Sequence, residues 1–530
     1  MDKALKTHET QVYPDDVPGG EGFVGEKDGT MDDVKDMQRM GKEQQFRASF
    51  LSADRNFGFL SIMGFAMILM STWESQLGTA GFALGNGGTA GLVYMYIACA
   101  IGMSLNIVSM AEMASMAPTA GGQYHWVSEF APPRAQKFIS YFIGWVCVLG
   151  WQAGAASSVF LAATEIQGLI VLNYDSYIYK YWHGTLLTIA ITLVCGFFNT
   201  VLAKRLPLVE GLVLFLHIAG FFGILVPLWV LAPRTPSKQV WTVFEDANGW
   251  GNVGLACLVG MNSPVLSLLG ADAATHMSEE LKNASKILPR AMVFTAIFNG
   301  ALGFIMVITF CYTVGNVEQV LSTPTGYPFI QVFYNATQSK AGATAMVSIM
   351  IALSTFGAMT NMATGSRQIF AFARDRGVPF SNWFSYVPEG WDIPLNGVIF
   401  TVVVSCLLSL INIGSQIAFN QLTSLGLCAL LSSYIVSITC MAIKRIRKEP
   451  LLPSKFSLGR YGLAINLLSV GFLLLAFIMI FFPPGPNPNP QTMNWAIVVY
   501  GGVVFFSLTY YVLRGRFRYA GPVEYVRKTI

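Results

Sequence analysis

The chain has 530 residues, 53% of them hydrophobic and only 12% charged, with a mean hydropathy of +0.52. Soluble globular domains carry about 25% charged residues, so this composition excludes an ordinary water-soluble protein. The net charge of +4 does not point to nucleic acid, because the cations cluster in particular gaps between apolar stretches.

Residues 1–56 are polar and mixed in charge, rich in Gly, Asp, Glu and Lys. This composition predicts a disordered tail, with no cleavable signal peptide. It suits a plain solvated tail or a regulatory one with ubiquitin-accepting lysines. Twelve apolar stretches follow, at 57–84, 89–114, 138–168, 183–203, 208–232, 252–277, 291–314, 343–369, 394–412, 420–441, 461–482 and 492–513. They are numbered spans 1 to 12. Each reaches the length of about 20 residues that crosses a hydrocarbon core as a helix. Helices are required there because backbone polar groups in lipid must pair within the segment.

The tails and the even-numbered gaps hold 29 of the 33 Lys and Arg residues. The opposite side holds only Lys180, Arg234, Lys238 and Lys340. The positive-inside rule therefore predicts that both tails are cytoplasmic, which needs an even number of crossings. The eight cysteines lie mostly inside spans with no CxxC spacing, so they read as small packing residues, and no metal site or disulfide is expected.

Spans 1 and 6 look broken. The middle of span 1 carries Ser71, Thr72, Glu74, Ser75, Gln76 and Gly78. A carboxylate near mid-membrane costs several kcal/mol unless it faces water or a partner. Span 6 contains Gly260-Met-Asn-Ser-Pro264 and then Gly270-Ala-Asp272, where Pro removes a helix hydrogen bond and Gly tolerates irregular backbone. Interruptions at corresponding places in two halves point to an inverted-repeat transporter with a midplane site, although ordinary kinks leave the same mark.

Three segments carry a family resemblance. Ala111-Glu-Met-Ala-Ser-Met-Ala-Pro-Thr-Ala-Gly-Gly-Gln-Tyr-His-Trp126 follows span 2. Gly270-Ala-Asp-Ala-Ala-Thr-His-Met-Ser-Glu-Glu-Leu-Lys-Asn283 follows the break in span 6, and Ser366-Arg-Gln-Ile-Phe-Ala-Phe-Ala-Arg-Asp-Arg-Gly-Val-Pro-Phe380 ends span 8. With Thr72-Trp-Glu-Ser75, they resemble the amino acid/choline transporter family of the amino acid–polyamine–organocation superfamily, most of all its fungal GABA and choline permeases. The resemblance covers roughly residues 50–520. It implies an all-α polytopic membrane protein with 12 transmembrane helices: a LeuT-type 5+5 inverted repeat (57–232 and 252–441) plus two extra helices at 461–513, then a cytoplasmic tail at 514–530. It also implies proton-coupled or exchange uptake of a small amino acid or amine.

Carried over by position, the resemblance implies a substrate pocket at Ser71, Thr72, Trp73, Glu74 and Ser75 of span 1, and Ser267, Leu268, Leu269 and Gly270 of span 6. Relatives often have an aromatic residue just before the Gly. Here Leu268, Leu269 and Ala271 are aliphatic, so Trp73 or Trp151 would have to supply an aromatic lid. Glu74 suits pairing with a substrate ammonium or carrying the coupling proton, and also suits a structural bond to exposed backbone. A carboxylate beside tryptophan also suits a quaternary ammonium. His217 in span 5 is a proton-shuttle candidate, or simply a hydrogen-bonded buried histidine. Glu165 in span 3 is placed towards the outer end as a gate candidate, and Asp272 is structural or gating. Ser354 and Thr355 face either the pocket or the bundle core. Arg367, Arg374, Asp375 and Arg376 have ready partners in Glu279 and Glu280, as a cytoplasmic gate or as a static solvated cluster.

Asn335-Ala-Thr337 is a glycosylation candidate in an outer loop, whereas Asn283-Ala-Ser285 falls on the cytoplasmic side. Enzymes are disfavoured, since no nucleotide loop, HExxH or GxSxG occurs, and no cofactor is expected. The alternative to a permease is a nutrient sensor of the same fold that binds substrate without net uptake. A channel lacks support, with no selectivity-filter motif. The partners are a small amino acid or amine, a co-transported proton and the lipid bilayer. The plasma membrane is favoured over the vacuolar membrane by the family. The residues do not choose among GABA, choline and other substrates, nor do they fix the oligomeric state.

Overall fold

A computed structural model of the protein describes residues 55–522, apart from 389, 390, 392, 416 and 520. The predicted tail at 1–54 and the last residues, 523–530, lie outside the described residues. Within them every regular element is helical. Ten helices are long and apolar enough to cross a membrane. They match spans 2 to 5 and 7 to 12: Gly88–Met116, Gln136–Asn173, Tyr181–Thr200, Val209–Leu231, Ala284–Thr313, Lys340–Arg374, Leu395–Gly414, Ala418–Ile446, Gly459–Met479 and Ala496–Arg518. The two remaining spans are the two predicted to be broken. Span 1 is split into Arg55–Met70 and Thr72–Gly85, and span 6 into Val253–Gly260 and Asn262–Ser267. The protein is a polytopic helical membrane protein.

Burial separates core helices from rim helices. The most apolar stretches of spans 10 and 3 are 78% and 67% enclosed, whereas that of span 12 is only 11% enclosed. Spans 3 and 10 therefore form the centre, and span 12 presents Phe505 and Leu513 outward, as lipid-facing helices do. Span 2 packs extensively on span 7, and span 3 on span 8. These contacts join the second and third of the first five spans to the second and third of the next five. Span 11 ends at Met479, just before Pro483 and Pro484. All eight cysteines are free.

The face where spans 3 and 5 begin and span 8 ends also receives the chain after span 12: Tyr519, fully buried, shares a 2.6 Å hydrogen bond with Ser140. It is called the terminal face below.

Candidate functional site

The interruption of span 1 is one residue wide, narrower than the sequence suggested. Ser71 alone is left-handed, at φ 37°. Its N–H still donates to the Met67 carbonyl at 2.9 Å, its hydroxyl bonds the Ile68 carbonyl, and Ser75 N–H donates to the Ser71 carbonyl at 2.8 Å. Asn299 of span 7 also donates to the Met67 carbonyl, at 2.9 Å. Thr72 to Ser75 thus form the first turn of a helix, whose leading N–H groups lack intrahelical partners and favour a negative ligand group. Span 6 is more open. Its helix ends at Ser267, and Gly270 sits at φ 106°, where a Cβ would lie 2.5 Å from Leu69.

Both breaks face a small chamber of about 80 Å³, enclosed by spans 1, 3, 6, 8 and 10. A vestibule of about 590 Å³ leads to it from the face opposite the terminal one. The two share Thr79, Leu266, Phe419, Thr423 and Leu427 as walls. Phe160 of span 3 stacks on Phe419 of span 10 at the junction, with centroids 6.1 Å apart and planes at 11°. The chamber itself offers Ser75, Ser157, Ser158, Thr423 and the Asn361 amide, with Trp151 as its aromatic wall. None of its lining residues is ionisable.

The predicted span 1 and span 6 residues divide around this chamber. Ser75, Leu269 and Gly270 line it. Ser71 packs towards Gly357 of span 8, and Thr72 towards Gly303 of span 7. Trp73 turns away and packs on His217 and Phe221 of span 5, at 5.8 and 5.9 Å. The geometric reason is that Trp73 lies two residues, or about 200° of helix, from Ser75. Ser267 donates to Gln76 at 2.9 Å, and Gln76 donates to Ser263 at 3.1 Å, tying the two broken spans together. Leu268 is buried in the core. Of the two lid candidates, only Trp151 reaches the chamber; the aromatic pair above it is Phe160 with Phe419.

Glu74 lies one residue behind the chamber wall. Its Oε1 is 2.5 Å from His217 Nδ1, and both side chains are buried. Glu74 Oε2 and His217 Nε2 have no hydrogen-bond partner. Glu165 is fully buried on span 3, beside Gly78 of span 1, with the Ser354 hydroxyl of span 8 near it but neither oxygen in a hydrogen bond of ordinary length.

The terminal face is closed by buried ion pairs. Arg374 grips Glu279 in bidentate fashion, at 2.5 and 2.9 Å, and Arg367 Nε meets Glu280 at 2.6 Å. The side chains of both pairs are at most 13% exposed, which separates them from a solvated surface cluster. Asp272 accepts from Gln123 at 2.5 Å and from Tyr434 at 2.7 Å, joining the segment after span 2 to spans 6 and 10. Tyr124 donates to Asp375 at 2.9 Å; burial first, and the nearby carboxylate second, push its phenol well above the ordinary value, so it remains a donor. His276 connects this closure to the chamber, accepting Trp151 against its ring at 5.2 Å and bonding the Ala120 carbonyl through Nδ1 at 2.8 Å.

Residues 57–504 match the family model described as amino acid permease. The chain belongs to the amino acid permease family. Among its relatives, an uncharacterized amino-acid permease of Schizosaccharomyces pombe is 29% identical, over 97% of this chain and 94% of that protein. A choline transporter of Saccharomyces cerevisiae is 29% identical, over 87% and 82%. Amino-acid permease 2 of Neurospora crassa is 29% identical, over 93% and 89%. The permease is thus a transporter of small molecules across a membrane, not an enzyme.

Sequence reasoning missed Asn361, the Phe160–Phe419 pair and Glu210, discussed below. An amide in the apolar span 8 was the one available signal for Asn361. Asn335, the glycosylation candidate, lies inside the helix Pro328–Thr337 and accepts from Gln331 at 2.8 Å.

Proposed function

We infer that the permease imports a small amino acid or amine, such as GABA or choline, by proton symport with alternating access. In this reading the chain crosses twelve times and both termini, and so the terminal face, lie in the cytoplasm of a plasma-membrane carrier; the concentration of Lys and Arg in the tails and even-numbered gaps supports this orientation. The halves 57–232 and 252–441 would be the units that move. The vestibule then opens outward and the buried ion pairs form the closed cytoplasmic gate.

One observation carries the coupling: Glu74, in the first turn after the span 1 break, and His217 of span 5 form a buried acid–base pair with one unbonded atom each. Two charges taken out of water are costly unless they are paired and fully bonded. Adding or removing a proton there changes the charge beside the chamber, and with it the stability of the half-helix that holds the substrate. Glu74 has its Oε1 on His217, so it acts on the proton and not as the direct counter-ion of a substrate ammonium. A substrate carboxylate would meet the N-terminus of Thr72–Gly85. An ammonium would meet the carbonyls around Leu268 to Gly270, the Asn361 oxygen and the faces of Trp151 and Phe419.

The test is uptake of radiolabelled GABA, an amino-acid panel and choline in yeast lacking its own carriers, at acidic and at mildly alkaline pH. Faster uptake at acidic pH, lost in Glu74→Gln at normal surface expression, is the expected result. Binding without net uptake by a correctly placed protein would replace this reading with a nutrient sensor of the same fold.

A further inference from the structure

Among the described residues, every buried carboxylate oxygen that lacks a hydrogen-bond partner belongs to Glu74, Glu165 or Glu210. Buried polar groups are nearly always satisfied, and an exception calls for a water, an ion or a chemical role. Two of these acids are placed above. Glu210 has no part in the substrate chamber, the vestibule or the ion-paired gate.

Glu210 sits in the second turn of span 5 and is 3% exposed. Its Oε1 accepts from the Thr360 hydroxyl of span 8 at 3.1 Å, while Oε2 is free. Its backbone faces Gly64 of span 1. It precedes His217 by seven residues on the same helix, which is two turns, about 10.5 Å along the axis and about 20° of rotation. Glu210 and His217 therefore share a face, and Glu210 is two turns nearer the terminal face. Joining spans 5 and 8 through Thr360 uses one oxygen and leaves the second unexplained.

Among the described ionisable groups on the helices around it, Glu74 of span 1 is held by His217, Arg367 and Arg374 of span 8 are held by Glu280 and Glu279, and Arg205, just before span 5, and Arg290, near the start of span 7, are exposed. Among the described residues no cation pairs with Glu210, so a proton is the species that balances its charge in the closed bundle.

We propose that Glu210 is the cytoplasmic exit station for the coupling proton. As the terminal face opens, Glu210 gives its proton to cytoplasmic water and then, as a carboxylate, takes up the proton held between Glu74 and His217 through water admitted between spans 1, 5 and 8. Glu74 is left ionised, Glu210 is protonated again as the bundle recloses, and one proton has left per cycle. This rests on the proton-symport reading above and assigns its release step. Glu165, at the vestibule end of the same region, is a second buried acid without an ion-pair partner among the described residues, on the entry side.

The experiment uses the full chain in proteoliposomes, with a radiolabelled mixture of amino acids, GABA and choline as the probe. Two rates are read: accumulation driven by a proton gradient, and exchange of labelled for unlabelled substrate without a gradient. Exchange does not require the proton to leave. For Glu210→Gln the expected result is accumulation lowered by about a hundredfold, the lower range for loss of a proton-transfer group, with exchange retained. Retained exchange also shows that the variant is folded, and Glu210→Asp should recover much of the accumulation. Loss of both rates together, or of neither, overturns the proposal. A wild-type protein indifferent to the proton gradient overturns this step together with proton symport; a coupled wild type with a coupled Glu210→Gln overturns this step alone.

Discussion

Replacing Arg374 by Ala removes the bidentate partner of Glu279, which lies almost wholly buried on the terminal face. Removing one partner of a buried ion pair costs about 3–5 kcal/mol, and the lower figure applies here because Glu279 keeps a further contact. That cost falls on the state with this face closed, because an opened face would let water reach Glu279. At about 1.4 kcal/mol per tenfold, the lower figure moves the closed-to-open ratio by about a hundredfold. Cys147 is a built-in reporter, since it is fully buried in the closure, with its thiol 3.9 Å from Gln123 Oε1. In a background with the other cysteines replaced, maleimide labelling of Cys147 from the terminal face should rise strongly in Arg374→Ala, and transport should fall more than surface expression. Charge reversal, Arg374→Glu with Glu279→Arg, should restore part of both. Unchanged labelling in a variant that still reaches the membrane would refute the view that this pair holds the face closed.

Phe419→Ala should remove the stack on Phe160 between vestibule and chamber, raising KM several-fold with little effect on thermal stability, as read from uptake kinetics and melting in detergent. Gly270→Ala places a Cβ 2.5 Å from Leu69 at a φ of 106°; the strain, of order 1–3 kcal/mol, should abolish uptake while leaving a protein that migrates as a monodisperse species. Asn361→Asp should alter substrate choice by placing a carboxylate in a chamber whose lining residues are all uncharged, favouring cations over zwitterions in competition uptake. Glycosidase treatment should shift the electrophoretic mobility of wild type and not of Asn335→Gln if Asn335 is modified.

Much of the architecture was legible because lipid imposes strict rules. Each crossing must be an apolar helix, so the ten intact spans could be read from hydropathy, and Gly, Pro and polar residues marked the two interrupted ones. The width of the span 1 break was not legible, because it depends on Ser71 and Asn299 bonding the carbonyls around Met67, a contact between helices far apart in sequence. Charge complementarity between the segments after spans 6 and 8 anticipated the contacts of Arg374 with Glu279 and Arg367 with Glu280. The chamber was harder. Which of Ser71 to Ser75 faces it is a matter of helix phase, and that phase is set by how span 1 packs on spans 5 and 7. Trp73, the most conspicuous of the five, is consequently on the span 5 side. Asn361, Phe160 and Phe419 come from three spans that converge only in the fold. The pairing of Glu74 with His217, across 143 positions, brings together two residues that sequence reasoning had named separately.

The central claim is that substrate entry is driven by a proton handled at Glu74 and His217. Its most direct test is the luminal pH of proteoliposomes loaded with a pH-sensitive dye, followed while the transported substrate is added outside with no gradient imposed. The account predicts luminal acidification that follows substrate entry in the wild type and is absent in Glu74→Gln. Substrate entry with no change in luminal pH would contradict it.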